Sequence, residues 1–407
     1  MTPLVRRVAF VASKLAFGGA ERVLVEQVRA VAGAGVPVDV WIAKDDQFEQ
    51  LAPALRAVGP AVREVAVVRG ATGLAWRLLR RRPDVVVAYH APRAYRALLR
   101  LRRVPFAPRP VVVETVHERY AWALEPFGGT RPRAADAFLL THDVRAAVRR
   151  AFGVDDARLF EARPLFPSSL LDPDDAARAE ALRLRASWGV GPAGVVVGFL
   201  GRLGDNKGLL VAVDLVRRLV LEGRDVHLVL AGRACPELGD FDARLAAAVA
   251  AADASDPRCR GRFHLVGTVP RRTPTYAAFD VLLLAARTEG LLPLMLVEGM
   301  SAGVPAVTTD VGGIASCLRD GVDAEVVAKV PDDERDPTPE VLAALTDRVR
   351  RLVDDPARRA ALGAAGRARV RALVATNDFH GDTRRALEAA RALGPRGPAA
   401  RNRPDGP

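Results

Sequence analysis

Two positively charged side chains, Arg202 and Lys207, stand in the segment GRLGDNKG, between an apolar run and an amphipathic helical stretch. A strand that leads into a glycine turn and a helix start leaves backbone N–H groups unpaired, and these favour an anion. The charge of a diphosphate leaving group grows as its bond breaks, and fixed cations stabilise that charge. No carboxylate cluster of the kind that holds a divalent ion follows a predicted strand. We therefore expect a diphosphate site that works without a metal or another cofactor.

Two glutamates bracket a loop within residues 286–313, ARTEGLLPLMLVEGMSAGVPAVTTDVGG. Glu289 precedes Pro293, and Glu298 lies on the helix predicted to begin there. The loop follows a predicted parallel strand, and open α/β sheets bind ligands at the carboxyl ends of their strands. The helix N-terminus suits the same anion. Geometry alone leaves open a simpler interpretation, in which both carboxylates are merely solvated.

A glycine pair and two histidines are candidate site residues in the first part of the chain. Gly18 and Gly19 follow the first predicted strand, and paired glycines let a backbone approach a ligand closely. His90 and His117 end the fourth and fifth predicted strands, at the edge where ligands bind. Either ring could hydrogen-bond a sugar or a carbonyl, or could be satisfied by the backbone alone.

The elements that position these residues alternate between strand and helix patterns, which predicts βαβ units and parallel sheets. The strands predicted in the first series are Val8–Ala12, Val36–Ala43, Val65–Val68, Val85–Tyr89, Val111–Val116 and Phe138–Thr141. Those predicted in the second series are Val195–Leu200, Val226–Ala231, Phe263–Val266, Val281–Ala285 and Pro305–Thr308. Helical patterns such as Ala20–Ala32 and Gly73–Arg81 lie between them.

A chain of 407 residues is too long to fold around a single hydrophobic core, so we predict two doubly wound α/β domains. The first spans residues 1–170 and the second 191–375. Residues 171–190 are strongly charged and form a linker or a boundary helix. Residues 376–393 form a C-terminal helix that packs on the first domain. The Pro/Gly/Arg-rich residues 394–407 form a disordered tail.

The composition narrows the functional classes. The net charge of +12 favours acidic partners such as phosphates, but no long basic arm, zinc-finger spacing or RNP-like motif indicates nucleic-acid binding. A Walker P-loop is absent, and the single GxGxxG precedes a strand instead of following one. Three cysteines without metal spacing are typical of reduced thiols. With no leader pattern before the first strand, we expect a cytoplasmic protein.

A basic stripe on one predicted helix raises the question of a membrane surface. Spaced three and four residues apart, its arginines share one helical face: Arg93, Arg96, Arg100 and Arg103. Such a face could contact the anionic inner surface of a membrane or a lipid-linked phosphate. It could equally belong to an ordinary surface helix.

The chain resembles the family-4 retaining glycosyltransferases over nearly its whole length. Three segments carry the resemblance: GRLGDNKG, TEGLLPLMLVEGMSAGVPAVTTDVGG and the N-terminal GGAER. The resemblance implies the GT-B architecture, in which two Rossmann-like domains face each other across a cleft and C-terminal helices cross back to the first. It also implies a nucleotide-sugar donor, an acceptor hydroxyl on a glycan, glycolipid or metabolite, retention of configuration, and no metal.

By this resemblance, Arg202 and Lys207 stabilise the donor diphosphate, next to Gly201. Glu289 contacts the hydroxyls of the donor sugar, and Glu298 contacts the nucleotide ribose. The remaining matches are the phosphate-facing loop Gly290, Leu291 and Leu292, the glycine loop Gly18 and Gly19, and His117 near the donor sugar, which we prefer to His90. The leaving phosphate helps to deprotonate the acceptor in this family, so no side-chain base is nominated.

One spacing departs from the family pattern. Eight residues separate Glu289 from Glu298, where the family usually has seven. An extra residue before Pro293 shifts Glu289 by up to ~3.5 Å along the chain, whereas the helix fixes Glu298. The spacing keeps open a non-catalytic protein that binds a nucleotide sugar or a partner. A different GT-B enzyme, such as an epimerase, is a third alternative.

Overall fold

The computed structural model describes residues 5–13, 19–43, 48–117, 124–127, 129–141, 144–163, 165–166, 170–233, 240–290, 292–329 and 335–396. The chain divides into two compact units. The first comprises Met1–Leu165 and Asp378–Pro407, and the second comprises Phe166–Asn377.

The first unit is built on a seven-stranded parallel sheet in the order β3-β2-β1-β4-β5-β6-β7. Its strands are β1 Val8–Ala12, β2 Val38–Ile42, β3 Val62–Val67, β4 Val85–Tyr89, β5 Val111–Val116, β6 Ala137–Leu140 and β7 Leu159–Glu161. Its helices in this part of the chain are α1 Gly19–Ala32, α2 Phe48–Arg56, α3 Gly70–Arg81, α4 Pro92–Leu101, α5 Thr130–Ala134 and α6 Arg145–Phe152. Strands such as β4 and β5 are buried throughout and Val-rich, as expected of a parallel sheet covered on both faces.

The second unit has a six-stranded parallel sheet in the order β10-β9-β8-β11-β12-β13. Its strands are β8 Val195–Leu200, β9 Val226–Ala231, β10 Phe263–Gly267, β11 Val281–Leu284, β12 Ala306–Thr309 and β13 Glu325–Val327. Its helices are α7 Asp175–Ser187, α8 Leu209–Leu221, α9 Phe241–Ala254, α10 Arg272–Ala277, α11 Leu294–Ser301, α12 Ile314–Cys317, α13 Pro339–Asp354 and α14 Pro356–Ala375.

Helix α7 lies within residues 171–190, the segment predicted as a linker or boundary helix. The side chain of Asp174 caps it by accepting a hydrogen bond from the Ala177 N–H (2.7 Å), and α7 then packs on α10 in the second unit. An N-cap carboxylate satisfies one of the donors that a helix start leaves unpaired.

The last helix, α15 (Phe379–Leu393), returns to the first unit and packs on α1. Its buried residues Phe379, Leu387 and Ala390 join the core on the α1 side of the sheet. Beyond it, the Arg396 N–H donates to the buried Asp136 carboxylate (2.9 Å). The rest of the predicted tail, residues 397–407, lies outside the described residues.

The prediction of two doubly wound parallel sheets is confirmed. Two short strands, β7 and β13, were not predicted, and β3 begins three residues before the predicted Val65. In each sheet the strand order reverses beside its first strand, between β1 and β4 and between β8 and β11. A crevice at such a reversal is where doubly wound sheets bind ligands, and the candidate residues His90, Lys207 and Glu289 follow strands at these reversals.

Candidate functional site

In the second unit, the loop after β8 carries the predicted cationic pair. Gly201 continues the sheet by donating its N–H to the Ala231 carbonyl (3.0 Å), and residues Asp205–Lys207 form one turn of 3-10 helix. Gly208 then adopts a left-handed conformation with φ of 68°. A Cβ at Gly208 would lie 1.9 Å from the Ala285 carbonyl oxygen. Only glycine fits here, so the turn that presents Lys207 is held tightly against the end of β11.

Backbone and side-chain hydrogen bonds tie the loop after β11 to the loop after β8. The Arg287 N–H donates to the Asn206 carbonyl (2.8 Å), and the Asn206 side-chain amide donates to the Thr288 carbonyl (3.1 Å). Because β8 and β11 are the neighbouring strands at which the sheet order reverses, these bonds build one crevice wall from both loops.

Lys207 and Glu289 form an ion pair between these two loops, through Nζ and Oε1. Their side chains are only 16% and 10% exposed. Water screens a pair this far from solvent less than it screens a surface pair. The structure therefore brings the predicted cation and the first predicted glutamate together despite the extra residue in the loop.

Arg202, in contrast, is exposed, and within the described part of the chain no hydrogen bond or ion pair holds its guanidinium. Its neighbour Leu203 is fixed through the backbone, because the Leu203 N–H donates to the Arg233 carbonyl (3.0 Å). The structure thus provides one engaged cation and one exposed cation in the same loop.

A glycine pair supports the turn that follows Glu289. The Gly313 N–H donates to the Gly290 carbonyl (3.1 Å), and a Cβ at Gly312 would lie 1.7 Å from that same oxygen. Leu291 lies outside the described residues, and Leu292 is buried. Pro293 then precedes α11, so the extra residue falls before the helix.

Glu298 is the fifth residue of α11 and is 5% exposed. The Tyr276 hydroxyl donates to its Oε2 (3.1 Å), and the Arg272 guanidinium pairs with its Oε1. Sequence reasoning did not select either partner. The only signal was their position, on the short helix α10 just before β11.

In the first unit, His117 directly follows β5. Its Nδ1 lies 3.0 Å from the Thr141 hydroxyl oxygen, and its ring stacks on Tyr89 with centroids 5.5 Å apart. Gly19 is the first residue of α1, and Gly18 lies outside the described residues.

His90 follows β4 and is held more firmly than the sequence indicated. It has φ of 44°, an uncommon conformation for a residue with a side chain. The Ser13 hydroxyl donates to its carbonyl, and Arg131 Nη1 lies 3.3 Å from its Nε2. Since a guanidinium only donates, Nε2 must accept, and the ring hydrogen is on Nδ1.

A buried ion pair supports His90. Glu114 and Arg131 are both fully buried, with Oε1 and Nη2 2.9 Å apart. Glu114 also accepts from the His90 N–H (3.3 Å) and from the Tyr95 hydroxyl (2.7 Å). Burial, together with the neighbouring Glu114 charge, raises the pKa of Tyr95 well above its usual value. Sequence reasoning missed this cluster, although a glutamate within the Val-rich strand β5 was a visible signal.

Two family models match the chain, one in each half. The model described as "Glycosyltransferase Family 4" matches residues 17–160, and that described as "Glycosyl transferases group 1" matches residues 194–355. Together they cover the second sheet with the loops after β8 and β11, and the first sheet from β2 onward except the last residue of β7. The family resemblance inferred from the motifs is confirmed.

Relatives with assigned activities are similar over part of the chain. A 2-deoxystreptamine glucosyltransferase of Streptomyces kanamyceticus is 33% identical over 248 residues, 58% of this chain and 54% of that protein. A GDP-mannose-dependent α-(1-6)-phosphatidylinositol monomannoside mannosyltransferase of Mycolicibacterium smegmatis is 30% identical over 277 residues, 64% of this chain and 65% of that protein. The chain thus spans between half and two thirds of the length of these two relatives.

A solved structure is similar over almost the entire chain. HepE from Anabaena, in complex with UDP, superposes with a TM-score of 0.70 and 17% sequence identity. The superposition covers 93% of this chain and 98% of that one. At this level of identity the similarity concerns the fold.

Proposed function

Because the chain belongs to the family-4 glycosyltransferases of the GT-B fold, we propose that it transfers a sugar from a nucleotide-sugar donor to an acceptor hydroxyl, with retention of configuration and without a metal ion. The observation that carries the proposal is the pairing of Lys207 with Glu289 beside Arg202, at the strand-order reversal of the second sheet. The acceptor is a glycan, a glycolipid or a small metabolite, and the two relatives are named for acceptors of the last two kinds.

Lys207 and Arg202 receive the diphosphate in this proposal. Lys207 exchanges Glu289 for a phosphate oxygen, and Arg202 adds a second charge from the open side of the loop. By the family resemblance, we assign the loop residues Gly290, Leu291 and Leu292 to the same phosphates. These donors are most valuable as the bond to the sugar breaks, because the diphosphate is then most negative.

The two glutamates bind the sugar and the nucleoside of the donor in this proposal. Glu289, released from Lys207, accepts hydrogen bonds from hydroxyls of the donor sugar. Glu298 accepts from the hydroxyls of the ribose. We assign His117, Gly18 and Gly19 of the first unit to the donor sugar on the family resemblance alone.

Retention follows from a leaving phosphate that takes the acceptor proton on the face from which it departs. No side chain is assigned as a general base. Metal independence rests on the fixed cations Arg202 and Lys207, which supply the charge that a divalent ion would otherwise provide.

The decisive experiment replaces Lys207 with alanine and measures transfer with a panel of UDP-, GDP- and ADP-sugars in the presence and absence of EDTA. Loss of one such donor costs about 100- to 1000-fold in kcat, and EDTA has no effect on the wild type. Arg217→Ala is the matched control, since this cation of α8 pairs only with Asp214 among the described residues. Full activity of Lys207→Ala with a donor that the wild type uses would refute the proposed role.

The second candidate is a nucleotide-sugar-binding protein without transferase activity. The extra residue between Glu289 and Pro293 favours it, because a misplacement of ~1 Å at a reacting centre can cost roughly 100-fold in rate. Calorimetric titration with the donor panel, followed by assays of hydrolysis and transfer, separates the two. Tight binding without turnover identifies this second function.

Peripheral contact with an anionic membrane is also part of the proposal. Within the described residues, no helix combines the length and the apolar character needed to cross a bilayer. The four arginines of the stripe are all exposed, along α4 and just beyond it: Arg93, Arg96, Arg100 and Arg103. The opposite face of α4, including Tyr95 and Leu98, is buried. Phe106 follows the stripe and is fully exposed, and aromatic rings are favoured at a membrane interface.

Sedimentation with phosphatidylglycerol vesicles tests this contact. Replacing Arg96 and Arg100 with glutamine should weaken binding at low salt by roughly 30-fold, at about 1 kcal/mol for each arginine. Replacing Arg149 and Arg150 of α6, which are also exposed, is the matched control. Wild-type protein that stays in the supernatant at low salt would refute membrane contact.

A further inference from the structure

The carboxylate of Glu298 is held from two sides by a single short helix. Arg272 and Tyr276 are one turn apart on α10, so their side chains extend in the same direction. Arg272 contacts Oε1 and the Tyr276 hydroxyl contacts Oε2. Each oxygen of the carboxylate therefore has its own donor.

These contacts offset the free-energy cost of burying the Glu298 carboxylate. Glu298 and Tyr276 are buried, and a buried carboxylate is costly unless it is paired and hydrogen-bonded. Arg272 supplies the compensating charge from the rim, where its side chain remains 45% exposed. The backbone leaves little freedom, because a Cβ at Gly299 would lie 2.3 Å from the Leu282 side chain and 3.0 Å from the Tyr276 ring.

We propose that Arg272 and Tyr276 are positioning residues that keep the Glu298 carboxylate aimed at the vicinal hydroxyls of the donor ribose. A carboxylate has about four acceptor sites, more than Arg272 and Tyr276 occupy. Orienting the carboxylate before binding lowers the entropy that binding must lose. This inference rests on the proposed function and adds two residues to its donor site.

The test compares two ligands that differ in one ribose hydroxyl. Calorimetry measures the Kd of UDP and of 2′-deoxy-UDP, and of GDP and 2′-deoxy-GDP, for the full chain. A hydroxyl bonded to a correctly placed carboxylate should give the wild type about a tenfold preference for the ribonucleotide. In Arg272→Ala and Tyr276→Phe this preference falls below about threefold, because the ribonucleotide loses affinity and the deoxynucleotide does not. Arg272→Lys, which keeps the charge, restores part of the preference.

The adjacent residue provides the control. Arg271 is also exposed, but it pairs with Glu180 of α7 and not with Glu298. Arg271→Ala should leave both affinities unchanged. Thermal unfolding of each variant confirms that it is folded.

The two possible failures can be distinguished. If the wild type discriminates against the deoxynucleotide and Arg272→Ala and Tyr276→Phe discriminate equally well, the positioning role is refuted and the donor site stands. Equal weakening of both ligands indicates a purely structural role and also refutes it. If the wild type binds none of the four nucleotides, the proposed donor site itself is wrong, and this inference with it.

Discussion

Replacing Glu289 with glutamine should have opposite effects on nucleotide binding and on sugar transfer. In the structure, Glu289 pairs with Lys207, the cation assigned to the diphosphate. In the proposed site, a bound donor displaces Glu289 from Lys207, and Lys207 then binds a phosphate oxygen. Glutamine keeps the size of the side chain and removes its charge, so this competition disappears.

The magnitude follows from the burial of the pair. Two unit charges about 4 Å apart interact by about 4 kcal/mol at the effective dielectric constant of ~20 that applies near a protein surface. Most of this is offset by the desolvation of two side chains that are only 16% and 10% exposed. A charged hydrogen bond keeps a net value of roughly 1.5–3 kcal/mol. Releasing Lys207 should therefore tighten diphosphate binding by about 10- to 150-fold.

Transfer should change in the other direction. Glu289 is assigned to the hydroxyls of the donor sugar, and a neutral amide orients them less well than a carboxylate. We expect kcat to fall by about 100-fold, as for the loss of one charged contact in an active site. The assay pairs calorimetric Kd values for UDP and GDP with initial rates of transfer.

Two variants make the outcome decisive. Lys207→Met removes the cation and should weaken nucleotide binding, whereas Glu180→Gln neutralises a glutamate that pairs with Arg271 and should change neither quantity. If Glu289→Gln binds the nucleoside diphosphate more weakly than the wild type, Glu289 supports the diphosphate site and does not compete for it. That result would refute the exchange of Lys207 between carboxylate and phosphate.

Three further predictions concern stability. Gly208→Ala should lower the free energy of unfolding in urea by at least about 2 kcal/mol more than Gly189→Ala does. Both glycines have φ near 69°, but only at Gly208 would the added Cβ collide with backbone atoms. Equal losses in the two variants would contradict this steric explanation. Burial lowers the pKa of His227 from 6.5 to about 4, so the unfolded chain binds the extra proton between these values. The contribution of neutral His227 to the free energy of unfolding is complete above pH 6.5 and is lost as the pH falls towards 4. Over this window, the wild type should lose up to about 3 kcal/mol more of its free energy of unfolding than His227→Asn. Parallel pH profiles of the two proteins would contradict this prediction. Arg131→Met should cost about 3–5 kcal/mol by leaving Glu114 buried without its charge partner, and Glu114→Gln added to it should recover most of that loss in thermal unfolding.

The sequence was sufficient for the sheets because their central strands are long and apolar. Runs such as Val85–Tyr89 and Val111–Val116 have no polar face, which is typical of strands covered on both sides. The strands β7 and β13 were not predicted, because each has only three residues and lies at the edge of its sheet. A run that short shows no period that separates it from a loop.

The candidate site was predictable where its residues directly follow strands. Lys207 and Glu289 follow neighbouring strands, so topology alone brings them to one edge of the sheet. The partners of Glu298 and the pair of Glu114 with Arg131 were not predictable. They depend on which side chains of separate helices and strands point at each other after packing, and sequence spacing contains no such information.

The two glutamates of the loop and helix after β11 are held by opposite means, and this explains why the extra residue lies where it does. Glu298 is part of a packed helix and is held by two residues of α10, so a shift of one position would break every one of these contacts. Glu289 lies within the loop between β11 and α11, and its side chain needs only to reach Lys207. Loops absorb an added residue more easily than packed helices do. An insertion between Gly290 and Pro293 therefore leaves the fixed carboxylate in place and changes only the reach of the exchangeable one.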